Sequence, residues 1–178
     1  MGENIISQFV LLGFSGLLLW AALTDIQSLT IPNKISGAVA ALWVSHGAVL
    51  LLSGVPVGTV LSGPGAGLLA LIGGAVLFQL RLVGGGDVKL LAASAMWAGP
   101  SLLLPLIMTV LLAGGVLALV MLAARSGQVF FGKVVTSGPV GPSGSGDHPF
   151  KTMMGTKIPF GVAIAAGGLM VAFRLAGL

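Results

Sequence analysis

Two aspartates, Asp25 and Asp87, are the residues of this chain whose type and position could do chemistry. The sequence contains only four acidic residues among 178. Asp25 follows the apolar run Ile5–Leu23, and Asp87 precedes the apolar run Leu90–Ala124. An ionisable group beside such runs is costly at membrane depth and usually faces a cavity or a partner. Asp25 and Asp87 are therefore the candidate catalytic pair.

A pair of carboxylates could hydrolyse a peptide bond without a metal. Two carboxylates a few ångströms apart cannot both ionise easily, so the pair holds one shared proton. The ionised member can take a proton from an attacking water, and the protonated member can support the developing oxyanion. Gly84, Gly85 and Gly86 precede Asp87, and residues without side chains let a substrate backbone approach closely. Solvated helix ends, or a proton pathway between Asp25 and Asp87, would explain the same spacing.

The composition restricts the class of protein to which these residues belong. Of all residues, 56% are hydrophobic and 7% are charged, whereas soluble domains carry about 25% charged residues. The chain is therefore expected in a membrane. It has no cysteine and two histidines, so neither a zinc-thiolate site nor a disulfide is expected. The basic residues are scattered singly, which argues against nucleic-acid binding.

The apolar runs predict an all-α, polytopic membrane protein with six spans in a single domain, residues 1–178. The spans are expected at residues 5–23, 35–52, 57–80, about 88–99, about 102–124 and 158–178. The fourth is too short unless it begins inside the glycine run. A flexible Gly-, Ser- and Pro-rich loop is expected over Arg125–Lys157. The three tryptophans are expected as interface anchors or packing residues.

The positive-inside rule tests this count. With the amino terminus outside, seven of the eight basic residues lie on the cytoplasmic side: Lys34, Arg81, Lys89, Arg125, Lys133, Lys151 and Lys157. The same parity places Asp25 and Asp87 on that side.

Three segments together resemble the prepilin peptidases, a type IV leader peptidase family of membrane aspartic proteases with a Gly-x-Gly-Asp motif. Asp25–Asn33 is similar to the first-aspartate segment, in which Ile-Pro-Asn follows the acid at a fixed distance. Gly84–Leu91 resembles the second-aspartate motif, and Lys157–Ala165 resembles the last-helix segment. The short Tad/CpaA-type members look closest.

The resemblance implies a function and a set of site residues. It implies removal of the basic leader from type IV or Flp-type prepilins and pseudopilins, at the cytoplasmic face of the bacterial inner membrane. Asp25 and Asp87 would be catalytic. The expected partners are the prepilin substrate, membrane lipid and pilus or secretion machinery, with no cofactor and no nucleic acid. Supporting or substrate-binding roles would fall to Ile31, Pro32, Asn33, Gly84, Gly86, Lys89, Pro159 and Gly161.

Several of these roles have plainer alternatives. Asn33 could orient Asp25 or a substrate carbonyl, or could simply lie at a helix start. Lys89 could pair with the aspartates or with lipid phosphate, or could extend to the interface. Pro159 and Gly161 could meet an extended substrate, or could open the last helix.

The chain also departs from the family in places. It lacks the cysteine-bearing zinc domain of the long members and the Arg residues often found before Ile-Pro-Asn. Nothing in it indicates a methyl-donor site, so amino-terminal methylation stays open, as does the oligomeric state. The alternative functions are a small proton-coupled transporter or channel subunit using both aspartates, and a non-enzymatic assembly factor of a pilus or secretion system.

Overall fold

The fold was obtained as a computed structural model, which describes the backbone of residues 2–135 and 159–177 and the side chains of residues 7–123 and 159–177. The described residues form five helices and no strand. They are α1 (Gly2–Ser28), α2 (Asn33–Leu52), α3 (Val57–Gln79), α4 (Gly85–Val135) and α5 (Phe160–Leu175). The prediction of an all-α protein is confirmed.

Prolines mark where three of these helices begin. Pro32, Pro56 and Pro159 each occupy the residue before the first helical turn of α2, α3 and α5. A proline lacks the backbone N–H that a helix interior requires, and its fixed φ suits a helix start. Each of these prolines therefore marks the start of a helix.

Helix α4 is bent at Gly99, which has φ 57° and ψ −174°. The bend divides α4 into a first arm, residues 85–98, and a second arm, residues 100–135. It confirms the expected break in the apolar run, and the start at Gly85 confirms that the helix begins inside the glycine run. The expected loop was wrong for residues 125–135, which continue α4 as helix. The remainder of that loop, residues 136–158, lies outside the described residues.

The helices have the length and surface of membrane spans. Four segments of the described chain are long and apolar enough to cross a bilayer: Ser7–Ser28, Asn33–Leu52, Val57–Gln79 and Gly85–Ala123, whereas α5 is a shorter apolar helix. Large side chains such as Phe9, Leu61 and Leu112 are exposed over more than half of their surface. Lipid is the solvent that suits such a surface. The chain is therefore a multi-pass membrane protein, and the number of six spans stays a prediction.

By its internal contacts the chain divides into two compact units, Met1–Gly114 with Pro159–Leu178 and Gly115–Ile158. The single-domain expectation stays a prediction. In the second unit, residues 115–135 are helical. All contacts discussed below lie in the first unit.

Helices α1 and α5 pack antiparallel through glycines of α5. A Cβ atom built on Gly168 would lie 2.5 Å from Leu18 Cδ1, and one built on Gly161 would lie 2.9 Å from Asp25 Oδ2. Only the absence of side chains at these positions allows the helices to approach so closely. This packing brings the carboxyl end of α1 to the amino end of α5.

The first arm of α4 lies at the centre of the bundle. Trp97 stacks on Phe14 of α1, with ring centroids 4.6 Å apart, and its Nε1 donates to the Val39 carbonyl of α2 at 3.2 Å. On another side, Gly67 and Gly74 of α3 meet Met96 and Val88. These two glycines of α3 therefore allow the close packing of α3 against the first arm of α4.

Candidate active site

Asp25 is buried in the last turns of α1, with 4% of its surface exposed. The backbone N–H of Gly161 donates to Asp25 Oδ2, with the two atoms 2.6 Å apart, and the N–H of Val162 lies near the same carboxylate. Gly161 belongs to the first turn of α5, where an N–H group lacks the carbonyl partner that a helix interior provides. Pro159 precedes that turn and supplies no side-chain cap. Asp25 therefore caps α5 from a different helix.

Asp87 is half-buried in the first turn of α4. The backbone N–H of Gly84 lies near its carboxylate. An acid at the third helical position is placed to reach back to the residue that precedes its own helix. A Cβ atom on Gly84 would lie 2.7 Å from Asp87 Oδ2, so the glycine keeps that oxygen uncovered.

The two carboxylates lie in one region of the first unit. Asp25 and Asp87 are close enough to interact electrostatically, as like charges do at short range. Each lies at a helix amino terminus, Asp25 at that of α5 and Asp87 at that of α4, a position that favours negative charge. Two acids of different helices therefore share one site, and the Gly161 N–H fixes the orientation of Asp25.

The Ile-Pro-Asn segment lies against this site. Ile31 is buried and contacts Gly86 and Gly161. Pro32 is exposed and precedes α2. Asn33 Oδ1 accepts a hydrogen bond from Lys89 Nζ at 3.0 Å, so the start of α2 is tied to the first turns of α4.

The hydrogen bond between Lys89 and Asn33 bears on two residues for which the sequence analysis left several roles open. The structure pairs Asn33 and Lys89 with each other, at the exposed surface of the protein. Their pairing connects the first-aspartate segment to the second-aspartate motif. It is compatible with a supporting role for both residues.

Val162 is a contributor that the sequence did not single out. Its backbone N–H lies near the Asp25 carboxylate and donates to the Pro159 carbonyl at 3.3 Å. Any non-proline residue could do the same, so the residue type carries no signal. Its position, three residues after Pro159, is the only clue that the sequence offers, because the amides of a first helical turn are free to bind a carboxylate.

The described side chains contain no cluster of three or more His, Cys, Asp or Glu residues that could hold a metal ion. The chemistry that this part of the chain offers is that of two carboxylates beside glycine residues. Such a pair can transfer protons to and from a water molecule.

Comparison with known proteins gives one result that bears on this site. No curated protein and no solved structure matches the chain significantly. The family model of the type IV leader peptidase family matches residues 12–122, a region that includes Asp25 and Asp87. This match covers more than half of the chain, which therefore belongs to the type IV leader peptidase family.

Proposed function

We propose that the chain is a membrane aspartic endopeptidase that removes the basic leader from type IV or Flp-type prepilins and pseudopilins. The observation that carries this proposal is the proximity of the Asp25 and Asp87 carboxylates. Membership of a leader peptidase family supports peptidase activity. The proposed place of cleavage is the cytoplasmic face of the bacterial inner membrane, because the positive-inside rule orients both aspartates to that side.

The reaction would use the pair as a shared acid and base. The ionised aspartate takes a proton from water as the water oxygen attacks the scissile carbonyl carbon, and the protonated aspartate hydrogen-bonds the developing oxyanion. When the tetrahedral intermediate collapses, the C–N bond breaks and the departing nitrogen receives a proton from the pair. The products are a carboxyl terminus on the leader and a free amino terminus on the pilin.

The surroundings of Asp87 suit an extended peptide substrate. Gly84 is exposed, and no side chain at this position covers Asp87 Oδ2. A substrate backbone could therefore approach the carboxylate from the side of Gly84. The apolar helix of a pilin precursor could remain in the bilayer beside the exposed leucines, while the basic leader extends into water. The scissile bond would then lie near the interface, at the level of the two aspartates.

The proposal is tested by leader release from a synthetic precursor, a basic leader followed by an apolar helix, with the enzyme in proteoliposomes. We expect Asp25→Asn and Asp87→Asn, made separately, to abolish cleavage while inserting normally. Asp147→Asn is the matched control, since it makes the same chemical change outside the two motifs, and it should cleave at the wild-type rate.

The alternatives predict other outcomes of the same assay. A proton-coupled transporter would release no leader and would show proton-dependent uptake that either aspartate substitution removes. A scaffold of pilus assembly would release no leader and would tolerate both substitutions in assembly. Cleavage at the wild-type rate by either stably inserted asparagine variant would contradict the proposed peptidase.

A further inference from the structure

Ile31 faces inward from an exposed connection between α1 and α2. Its neighbours Thr30 and Pro32 are exposed, whereas Ile31 itself is only 8% exposed. A large apolar side chain is buried here although the segment is not helical.

Ile31 lies between two glycines that belong to different elements of the site. A Cβ atom on Gly161 would lie 2.7 Å from Ile31 Cδ1. A Cβ atom on Gly86 would lie 3.0 Å from the Ile31 carbonyl oxygen and 3.3 Å from Ile31 Cβ. The backbones of α5 and α4 therefore both contact Ile31, at Gly161 and Gly86.

Each of these glycines is joined to one of the aspartates. Gly161 donates its N–H to Asp25, and Gly86 immediately precedes Asp87 in the first turn of α4. A displacement of Gly161 moves the donor that holds Asp25, and a displacement of Gly86 moves the backbone that carries Asp87. Ile31 therefore contacts both Gly161, which donates to Asp25, and Gly86, which precedes Asp87. Its own side chain has no reactive group.

We infer that Ile31 is a positioning residue whose volume sets the separation of the Asp25 and Asp87 carboxylates. The inference deepens the proposed peptidase function and rests on it for its effect on catalysis. A packed interior transmits a change of one methyl group to its neighbours. With a smaller residue at position 31, the amino ends of α4 and α5 can move toward each other. The room for a water between the carboxylates then decreases.

A matched pair of substitutions separates positioning from ordinary packing. Ile31→Val removes the Cδ1 atom that contacts Gly161. Ile35→Val removes the same atom from an isoleucine that is equally exposed, at 8%, and belongs to the same apolar core. Ile35 lies in the first turns of α2, where it serves as core packing. Both variants lose one buried methyl group, so their losses of stability should be alike.

The first measurement is the rate of leader release as a function of substrate concentration. We expect Ile31→Val to lower kcat by about tenfold, with KM within about twofold of wild type, because small errors in catalytic geometry are costly in rate. Ile35→Val should leave both parameters near wild type. Equal effects of the two variants on kcat, or a wild-type kcat for Ile31→Val, would overturn the inference.

The second measurement reads the separation of backbone positions 25 and 87, which the packing of Gly86 and Gly161 on Ile31 sets, and it needs no activity. The chain has no cysteine, so a variant carrying Asp25→Cys and Asp87→Cys reports their proximity through the rate of disulfide formation with an added oxidant. We expect Ile31→Val to raise this rate several-fold and Ile35→Val to leave it unchanged. An unchanged rate with Ile31→Val would overturn the inference even if the protein had no peptidase activity. Failure of the wild-type protein to cleave would instead contradict the proposed function alone.

Discussion

The backbone N–H of Gly161 donates a hydrogen bond to Asp25 Oδ2 across 2.6 Å, between residues 136 positions apart in the chain. Asp25 is thus a candidate acid of the site and also the cap of α5. A carboxylate accepting bonds from a first helical turn is stabilised by charge-assisted hydrogen bonding. The last helix therefore contributes to the site through its backbone, which explains why a segment without acidic residues resembles a family motif.

Because Asp25 is both a candidate catalytic acid and the cap of α5, we expect substitutions to separate these two functions. Asp25→Asn keeps an oxygen that can accept the Gly161 N–H, whereas Asp25→Ala leaves the first turn of α5 uncapped. We expect Asp25→Ala to lower the free energy of unfolding by about 1 kcal/mol more than Asp25→Asn, the usual cost of losing a helix cap. Thermal unfolding in detergent, followed by circular dichroism, measures this difference. Equal stability of the two variants would show that the bond to Gly161 contributes nothing to holding α5.

Gly74 of α3 supports the residue that follows Asp87. A Cβ atom on Gly74 would lie 2.7 Å from Val88 Cγ1, and one on the adjacent Gly73 would meet no atom within 4 Å. Val88 is buried and β-branched, so it cannot easily turn away. We expect Gly74→Ala to displace the first turn of α4 and to lower leader cleavage by about tenfold or more.

Gly73→Ala is the control for this prediction. It adds the same methyl group to the same helix in open space, and alanine is favoured over glycine in a helix by about 1 kcal/mol. Its cleavage rate should match wild type at equal protein levels in the membrane. Equal rates for the two alanine variants would contradict the proposed support of Asp87 by α3.

The sequence predicted the fold correctly where hydropathy, glycine or proline determines the backbone conformation. Apolar runs predicted α1, α2 and α3, and the expected spans at about 88–99 and about 102–124 placed a break where the structure has Gly99 and Pro100. These features are local, because burial in lipid and the conformations of glycine and proline depend on the residues themselves.

The capping of α5 and the extension of α4 were not predictable in this way. The bond between Gly161 and Asp25 depends on tertiary packing and on a backbone group that every non-proline residue has. Leu29 and Arg81 adopt positive φ values of 51° and 59° at the ends of α1 and α3, and neither residue type signals such a conformation. The helical residues 125–135 include glycine and polar residues, which favour a loop interpretation when the sequence is taken alone.

The bend of α4 predicts a specific cost at Gly99. Its φ of 57° with ψ of −174° belongs to a region that is essentially restricted to glycine. We expect Gly99→Ala to lower the free energy of unfolding by about 1–3 kcal/mol. Gly16→Ala in α1 is the control, since its added Cβ also meets no atom within 4 Å and its backbone is helical. Thermal unfolding of both variants checks this prediction, which fails if Gly99→Ala is as stable as Gly16→Ala.

Trp97 is a packing residue, whereas Trp20 lies at the surface of the protein. Trp97 is 5% exposed, stacks on Phe14 and donates to the Val39 carbonyl, whereas Trp20 is 62% exposed. We expect Trp97→Ala to lower the free energy of unfolding by about 3–5 kcal/mol, the range for buried aromatic residues. Trp20→Ala should cost within about 0.5 kcal/mol, as surface changes do. Far-UV circular dichroism is the suitable measurement, because tryptophan fluorescence changes with the substitutions themselves. Similar losses at the two positions would contradict the central place of the first arm of α4, since that arm joins α1 to α2 through Trp97.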